Sequence, residues 1–187
     1  MITTPPQTQL TFEEYLAYDD GTDNRYELED GALLLITPPT GRHALVIRLL
    51  NNSFEVEISR LNLPWASLQM LGVRTAPRRS RLPDLCVVPL EIMQECLDVS
   101  AVIESRALLV VEIVSPESVK RDYRFKRAEY ASFGIPEYWI VDPIAQKVTV
   151  LLLVEGLYEE TVYQDDELLQ SQIFPALTLT VNQILQV

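Results

Sequence analysis

The sequence has too few histidine and cysteine residues to form a zinc site or a disulfide framework. Its 187 residues include one histidine, His43, and two cysteines, Cys86 and Cys96. A structural zinc site takes about four such ligands, and a disulfide framework needs several paired cysteines. We therefore expect neither kind of site, and we predict that both cysteines are reduced, structural thiols.

The sequence also lacks a membrane-spanning segment and a signal peptide. A membrane helix needs about 20 consecutive apolar residues, and the longest apolar runs here, near Leu108 and over 148–154, have the length of strands. The N-terminus has neither the basic region nor the apolar centre of a signal peptide. These absences predict a cytoplasmic protein with no membrane partner.

Positive charge is scarce, with 15 Lys and Arg against 27 Asp and Glu and a net charge of −12. Such an acidic chain is not typical of a simple nucleic-acid binder, because its surface repels phosphates. The cations are clustered, however, with four in 74–81 and five in 120–127. If the two segments lie side by side they form a local basic rim. Its candidate nucleic-acid-binding residues are Arg74, Arg78, Arg79, Arg81, Lys120 and Arg121.

Length and composition favour one domain. A chain of 187 residues with 48% hydrophobic residues can bury a sizeable core and is short for two domains. Residues 1–10 contain Pro5 and Pro6 without periodicity, which predicts a flexible N-terminal arm. We expect residues 11–187 to form a single domain.

Local patterns predict most of the secondary structure. Thr11 and Glu14 have capping-box spacing for a short helix, and Asp30-Gly31 predicts a type I′ hairpin turn. Other predictions, in chain order, are a long helix over 41–62, a strand over 65–75, an arginine-rich turn, a strand over 82–89, a short helix or loop over 91–107 and a hairpin over 147–164 that turns near Glu155-Gly156. The pattern as a whole predicts an α/β (α+β) domain with a central mixed sheet flanked by helices.

The stretch 108–143 holds the most informative pattern. It begins with an apolar run that predicts a buried strand, interrupted by one carboxylate, Glu112. Asp122, Lys126 and Tyr130 follow at i, i+4 and i+8, which places them on one face of a helix that can turn toward Glu112. Gly134 is expected to end that helix, and a second apolar strand follows in parallel.

Two carboxylates are expected to meet at one edge of the sheet. Asp84 stands at the start of one strand, and Glu112 stands near the end of another. Ionised carboxylates a few ångströms apart repel each other, and a hard divalent cation such as Mg²⁺ or Mn²⁺ relieves that repulsion. With a lysine close by, such a pair would form a phosphodiester-cleaving site.

These motifs together resemble a known family. They are P-D at 83–84, E-x-x-S-P at 112–116, D-x-x-x-K-x-x-x-Y at 122–130 and EYWIVDP at 137–143, with YELEDG at 26–31 and the Gly41/His43 pair upstream. The combination resembles the Uma-two family of restriction-endonuclease-like proteins, within the PD-(D/E)XK nuclease superfamily. The resemblance covers most of the chain from Thr11 to Pro143. It implies a restriction-endonuclease-like fold and a Mg²⁺- or Mn²⁺-dependent endonuclease that hydrolyses DNA.

The sequence departs from the superfamily pattern at one position. The lysine usually stands two residues after the strand carboxylate, where this chain has Val114. The resemblance therefore implies that Lys126, on the helix, supplies the amine. In this interpretation Asp84 and Glu112 hold the metal and Lys126 assists the water. Further candidates for the site are Glu27, His43, Asp122 and Tyr130.

Each residue has a plainer interpretation when it is considered alone. Asp84 could cap a strand after proline, Glu112 could pair with a buried arginine, and Lys126 could be a solvated partner of Asp122. The alternative functions are a catalytically inactive nucleic-acid-binding or protein-interaction module that retains the nuclease fold, and an acidic partner of a basic protein. We expect a homodimer, which would suit an enzyme that must address both strands.

Overall fold

The computed structural model describes residues 9–187, apart from the side chain of Glu95. Most of the predicted N-terminal arm, residues 1–8, lies outside this range. Leu10 is held to the domain, because its N–H donates to the Gly31 carbonyl at 2.8 Å. None of the helices described over 9–187 is both long enough and apolar enough to cross a bilayer.

The described residues form strands, mostly in groups of two to four, that are separated by helices. The strands are β1 Arg25–Glu29, β2 Ala32–Ile36, β3 Trp65–Leu68, β4 Gly72–Ala76, β5 Arg79–Arg81, β6 Leu85–Pro89, β7 Val102–Ile103, β8 Leu109–Ile113, β9 Glu137–Asp142, β10 Lys147–Val154 and β11 Leu157–Gln164. The α-helices are α1 Phe12–Leu16, α2 Gly41–Arg60, α3 Leu90–Met93, α4 Arg127–Phe133 and α5 Val181–Leu185. A 3₁₀ turn follows α3 at Gln94–Cys96, and a π-helical turn at Arg121–Lys126 leads directly into α4.

The strands form two mixed sheets. The first has the order β2-β1-β5-β4-β7, and the second has the order β11-β10-β9-β8-β6-β3. Each sheet contains one parallel pair, β4 with β7 and β8 with β9, and the other pairs are antiparallel. The predicted α+β class with mixed sheets and flanking helices is therefore confirmed.

Several local predictions are confirmed, together with the hydrogen bonds, dihedral angles or packing on which they depend. Thr11 and Glu14 form the capping box of α1, each side chain accepting from the other residue's N–H. Asp30 and Gly31 both have positive φ, 50° and 85°, as a type I′ turn requires. The predicted long helix is α2, whose buried face packs Phe54 edge-on against Trp139 at a centroid distance of 5.4 Å.

The predicted strand over 65–75 is wrong as a single element. The structure divides it into β3 and β4, which belong to different sheets. Met70, between them, has a φ of 60°, and this left-handed residue redirects the chain. An apolar pattern that continues across the break does not reveal a change of sheet.

The predicted arginine-rich turn is also corrected. Residues 79–81 form strand β5, which pairs with β4 and β1, and the chain turns just before it. Arg81 can lie in a buried strand because carboxylates from neighbouring elements neutralise it. In the stretch over 91–107, the short strand β7 was not predicted.

The central strand, helix and strand are confirmed. All five residues of β8 are buried, and β9 pairs with β8 in parallel. The helix that joins them has Asp122, Lys126 and Tyr130 on its buried side. It ends at Gly134, whose φ of 87° is the left-handed conformation expected of a C-terminal glycine. The π-helical turn was not predicted.

Candidate active site

A cleft with a volume of about 630 Å³ opens where the two sheets meet the central helix. Its floor contains the carboxylates of Glu27, Glu112 and Asp122 and the amine of Lys126. The first turn of α2 and the loop from Thr37 to Thr40 form part of one wall. The cleft therefore brings together residues that lie up to about 100 positions apart in the sequence.

Asp84 is held rigidly beside Glu112. Leu85 pairs with Val111 across β6 and β8, so Asp84 stands opposite Glu112 in the antiparallel register. Its Oδ2 accepts the Ile113 N–H at 2.6 Å, and its Oδ1 lies 2.8 Å from Nε2 of His43. The Asp84 side chain keeps 22% of its surface exposed. Asp84 is thus oriented by two partners and remains accessible from the cleft.

Glu112 projects from a fully buried strand and has two partners on one oxygen. The Tyr130 hydroxyl donates to its Oε1 at 2.7 Å, and Lys126 Nζ lies 2.8 Å from the same atom. The pKa of Glu112 is raised to about 8, because burial and the nearby carboxylates of Asp122 and Asp84 outweigh the lowering effect of Lys126. Lys126 alone therefore does not offset the cost of ionising Glu112 at this position.

The Lys126 side chain extends from the helix to the carboxylate of Glu112 on β8. Its Nζ lies 2.8 Å from Glu112 Oε1, 3.1 Å from Glu27 Oε1 and 3.9 Å from Asp122 Oδ1. Burial lowers the pKa of Lys126, but these carboxylates outweigh burial and raise it above its ordinary value. Lys126 is therefore a charged ammonium, and the interpretation of it as a solvated surface lysine is wrong.

Asp122 is a second buried carboxylate next to the amine. Its Oδ2 accepts a hydrogen bond from Ser118 Oγ. Its Oδ1 is buried and has no hydrogen-bond donor among residues 9–187. Burial raises the pKa of Asp122 above its ordinary value. A buried carboxylate oxygen that lies 3.9 Å from Lys126 Nζ and accepts no hydrogen bond from residues 9–187 marks a place where further positive charge would be stabilised.

Glu27 links the amine to a buried arginine. Its Oε1 accepts the Leu82 N–H at 3.0 Å, and its Oε2 accepts from Arg81 Nη1 at 3.1 Å. Burial raises the pKa of Glu27, but Lys126 and Arg81 together lower it below its ordinary value. Glu27 is therefore ionised and holds Lys126 from the side opposite Glu112.

Arg81 also holds the helix that carries Lys126. Its Nε and Nη2 donate to the two oxygens of Glu129 at 2.7 and 2.6 Å, and Arg81 is completely buried. Sequence analysis missed Glu129. Its position three residues after Lys126, in the next turn of the same helix, is the signal that could have identified it.

The arginines of 74–81 do not form an exposed rim. Arg81 is buried, Arg79 pairs with Asp30 and Glu129, and Arg74 pairs with Glu104. Arg78 donates to the Leu10 carbonyl at 3.2–3.3 Å. Pairing with nearby acids and backbone carbonyls explains this placement.

The two predicted cations at the start of the central helix differ in position. Lys120 is exposed, with its Nζ 5.4 Å from the Phe125 ring centre. Arg121 lines the cleft, and its buried Nε has no hydrogen-bond partner over the described residues. A cation that sequence analysis missed, Arg42 in the first turn of α2, also lines the cleft. It lies outside the two cation-rich segments, so the charge pattern did not identify it.

Comparison with known proteins agrees with this geometry. The model of the Uma2 family, described as "Putative restriction endonuclease", matches residues 12–182. The chain belongs to this family. The resemblance drawn from the motifs is thereby confirmed. No curated protein matches the sequence.

A solved structure shares the fold of this Uma2 chain. The crystal structure of a "putative nuclease belonging to DUF820" from Anabaena variabilis ATCC 29413 superposes with a TM-score of 0.78. The superposition covers 95% of this chain and 98% of that chain, at 18% sequence identity. At this identity the similarity shows a common nuclease-like fold and nothing finer.

The donor set of the Uma2 chain fits a hard cation held by few protein ligands. Over residues 9–187, no group of three or more His, Cys, Asp or Glu side chains is arranged around a single metal position. Mg²⁺ commonly takes only one or two carboxylates and keeps water or substrate phosphate in its other positions. Asp84 and Glu112 are such a pair, and the raised pKa of Glu112 and the unpartnered Asp122 oxygen favour an added cation.

Proposed function

We propose that this protein is a metal-dependent nuclease that hydrolyses phosphodiester bonds in DNA. Asp84 and Glu112 hold Mg²⁺ or Mn²⁺, and Lys126 assists the attacking water. The observation that carries the proposal is the position of the Lys126 amine, 2.8 Å from Glu112 Oε1. The helix thereby delivers an amine to the strand carboxylate in place of the usual lysine position, which is Val114 here.

The residues of the chain have separate tasks in this proposal. A bound divalent cation supplies Lewis acidity toward the phosphoryl oxygen and lowers the pKa of a coordinated water. Lys126 donates hydrogen bonds to the attacking water and stabilises negative charge that develops on the phosphoryl group. Tyr130 fixes the Glu112 carboxylate through the 2.7 Å hydrogen bond.

Four further residues position the reacting groups. His43 and the Ile113 N–H orient Asp84 through its two oxygens. Glu27 holds Lys126 at 3.1 Å, and Arg81 in turn orients Glu27. This support matters because a displacement of about 1 Å at a reacting group can lower a rate by about 100-fold.

A cleavage assay on double-stranded plasmid DNA and on single-stranded DNA tests the proposal. We expect the wild-type protein to cleave at least one of these substrates with Mg²⁺ or Mn²⁺ and to stop when EDTA is added. Lys126→Ala should lower the rate about 10²- to 10³-fold, because one contact to the transition state is lost. Lys120→Ala removes an exposed cation near the start of the same helix and should cleave at the wild-type rate.

A catalytically inactive binding module with the same fold is the second candidate. It is favoured by the net charge of −12 and by the closed ion pairs of Lys126 with Glu112 and Glu27. Failure of the wild-type protein to cleave DNA or RNA with either metal would support the module. A Lys126→Ala variant as active as wild type would contradict the role given to the amine.

A further inference from the structure

The cleft is poor in free positive charge. Apart from Lys126, the described residues that line it include two Lys or Arg side chains, Arg42 and Arg121. The ammonium of Lys126 is already paired with Glu112 and Glu27. Proteins that grip duplex DNA through its backbone often make about 6–10 phosphate contacts. Two arginines in the cleft of a chain with a net charge of −12 are too few to make that number of phosphate contacts.

The arginine-rich strand does not supply the missing contacts. Arg81 is completely buried, and Arg74 and Arg79 are paired with carboxylates. The other cation-rich segment, the central helix, directs Lys126 inward and pairs Arg127 with Glu160, and its exposed Lys120 and Arg124 do not line the cleft. A basic surface flanking the cleft, which a duplex would need on both sides, is therefore not formed by these segments.

The margin of the cleft does carry exposed apolar side chains. Leu35, Met70 and Ile144 all line it, and each has more than 40% of its surface exposed. Five prolines lie among the same lining residues, namely Pro38, Pro39, Pro83, Pro116 and Pro143. In a duplex the apolar faces of the bases are stacked on one another and unavailable. Exposed apolar side chains around a nuclease site therefore match unpaired bases.

The reacting groups also lie deep in the cleft. Glu112 is 4% exposed and Lys126 is 3% exposed, beneath walls formed by the loop from Thr37 to Thr40 and by the segment 115–118. A phosphate of a flexible single strand can enter such a cleft with its neighbouring sugars. A duplex carries the same phosphate on a stiff, wide cylinder, which the walls would keep away from the floor.

Arg42 and Arg121 are placed to hold the phosphates of such a strand. Arg42 belongs to the first turn of the 20-residue helix α2, where the helix dipole favours anions. Arg121 also lines the cleft, and its Nε forms no hydrogen bond with residues 9–187, so this nitrogen is not committed to a protein partner. The two arginines come from different elements that both line the cleft.

We propose that the cleft takes an unpaired polynucleotide strand, with Arg42 and Arg121 contacting its phosphates and the apolar margin contacting its bases. This inference rests on the proposed function for the location of the site. No Phe, Tyr or Trp side chain is among the described residues that line the cleft, and the His43 ring is paired with Asp84, so bases are held mainly by apolar contact. Binding should accordingly depend little on base identity.

Fluorescence anisotropy with labelled oligonucleotides tests this proposal. The probes are a single-stranded DNA of about 12 nucleotides, the same sequence as RNA, and the DNA duplex of equal length. Ca²⁺ replaces Mg²⁺ during binding, and a gel verifies that the probes stay intact. We expect the better single strand to bind at least about tenfold more tightly than the duplex, with a slope of log K against log salt of about −1.4 for two contacts.

Matched variants assign the contacts. Arg42→Gln and Arg121→Gln should each weaken single-strand binding roughly threefold and reduce the salt slope by about 0.7. Arg124→Gln removes an exposed cation of the same helix that does not line the cleft, and it should leave both values unchanged. Arg42 is exposed, so its variant decides the result if Arg121→Gln has a lowered melting temperature.

Several outcomes would overturn the inference. They are duplex binding as tight as single-strand binding, failure of both single strands to bind, and an equal effect of Arg124→Gln. A preference for RNA or for DNA among the single strands supports the inference and identifies the sugar. Cleavage of duplex DNA that depends on Lys126 would leave the proposed function intact while the inference fails. Single-strand binding that depends on Arg42 and Arg121, without any cleavage, would support the inference while the proposed function fails.

Discussion

At the scale of single residues, the candidate site is determined by the burial of Glu112. Its carboxylate is almost fully buried beside three other carboxylates and one ammonium. Burial disfavours the ionised form, and the nearby acids add to that effect, whereas Lys126 opposes it. The result is an acid whose pKa of about 8 lies far above its value in an unfolded chain.

The raised pKa of Glu112 predicts a loss of stability as the pH rises. Between its unfolded pKa of about 4.5 and its folded pKa of about 8, the native state retains a proton that the unfolded chain releases. The free energy of unfolding should therefore fall with rising pH across this window. Glu112→Gln removes the titrating group and should show a smaller fall.

Urea denaturation at pH 5.5 and pH 8, with EDTA present, provides the measurement. The quantity to compare is the change in unfolding free energy between the two pH values in each protein. Parallel changes in the wild type and in Glu112→Gln would show that Glu112 does not carry a raised pKa.

A divalent cation should stabilise the wild-type protein through Asp84 and Glu112. Binding to the folded state alone contributes about 2.7 kcal/mol when the free metal is at 100 times its dissociation constant. We expect Mg²⁺ or Mn²⁺ to raise the melting temperature of the wild type but not that of the Asp84→Asn, Glu112→Gln double variant. Calorimetry would measure both shifts, and equal shifts would remove these two residues as the ligands.

At the scale of secondary structure, Arg81 joins β1, β5 and the central helix. It pairs with Glu27 on β1 and, through two hydrogen bonds, with Glu129 on α4. The same helix carries Lys126 in its π-helical turn. Such turns occur frequently at functional sites because they shift side chains relative to a regular helix. Arg81 therefore fixes the element that positions the amine.

Loss of Arg81 should destabilise the fold strongly. Arg81→Met leaves the buried carboxylates of Glu27 and Glu129 without their main partner, which typically costs about 3–5 kcal/mol. Arg74→Met removes a partly exposed ion pair with Glu104 and should cost about 0–1 kcal/mol. Chemical denaturation compares the two variants. Similar losses would show that the buried network is no more important than a surface pair.

At the scale of the whole molecule, the sheets divide the buried residues into two cores. One contains Phe54, Trp139 and Phe174, and the other contains Cys86, Tyr130 and Tyr138. The second core lies directly behind the candidate site, since Tyr130 bonds to Glu112. The predicted homodimer stays a prediction, which sedimentation equilibrium would test.

Both cysteines should report on global unfolding. Cys86 and Cys96 are buried, and burial together with Glu112 raises the pKa of the Cys86 thiol far above its ordinary value. A thiol-specific reagent should therefore react with neither residue in the native protein, because both thiols are buried and Cys86 remains protonated. After denaturation in urea, both thiols should react. Rapid labelling of Cys86 without urea would indicate local opening of the second core.

The sequence by itself determined the features that depend on neighbours along the chain. The capping box at Thr11, the turn at Asp30-Gly31 and the inward face of the central helix follow from spacings of two to eight residues. The family motifs and the pairing of Lys126 with Glu112 also followed, because helical periodicity places Lys126 on the face of the helix that turns toward the strand carboxylate. These predictions needed no knowledge of distant partners.

Only the tertiary structure decided how distant charges are paired. Arg81 lies 54 residues from Glu27 and 48 from Glu129, and a charge pattern does not indicate which acids fold beside a given arginine. The same applies to Arg42, whose place in the cleft depends on the packing of α2. The change of sheet at Met70 depends on one left-handed residue within a continuous apolar pattern. Once these side chains are buried, their charges interact strongly, because the dielectric constant of the interior is low. The pKa shifts and the ion pairs follow from these interactions.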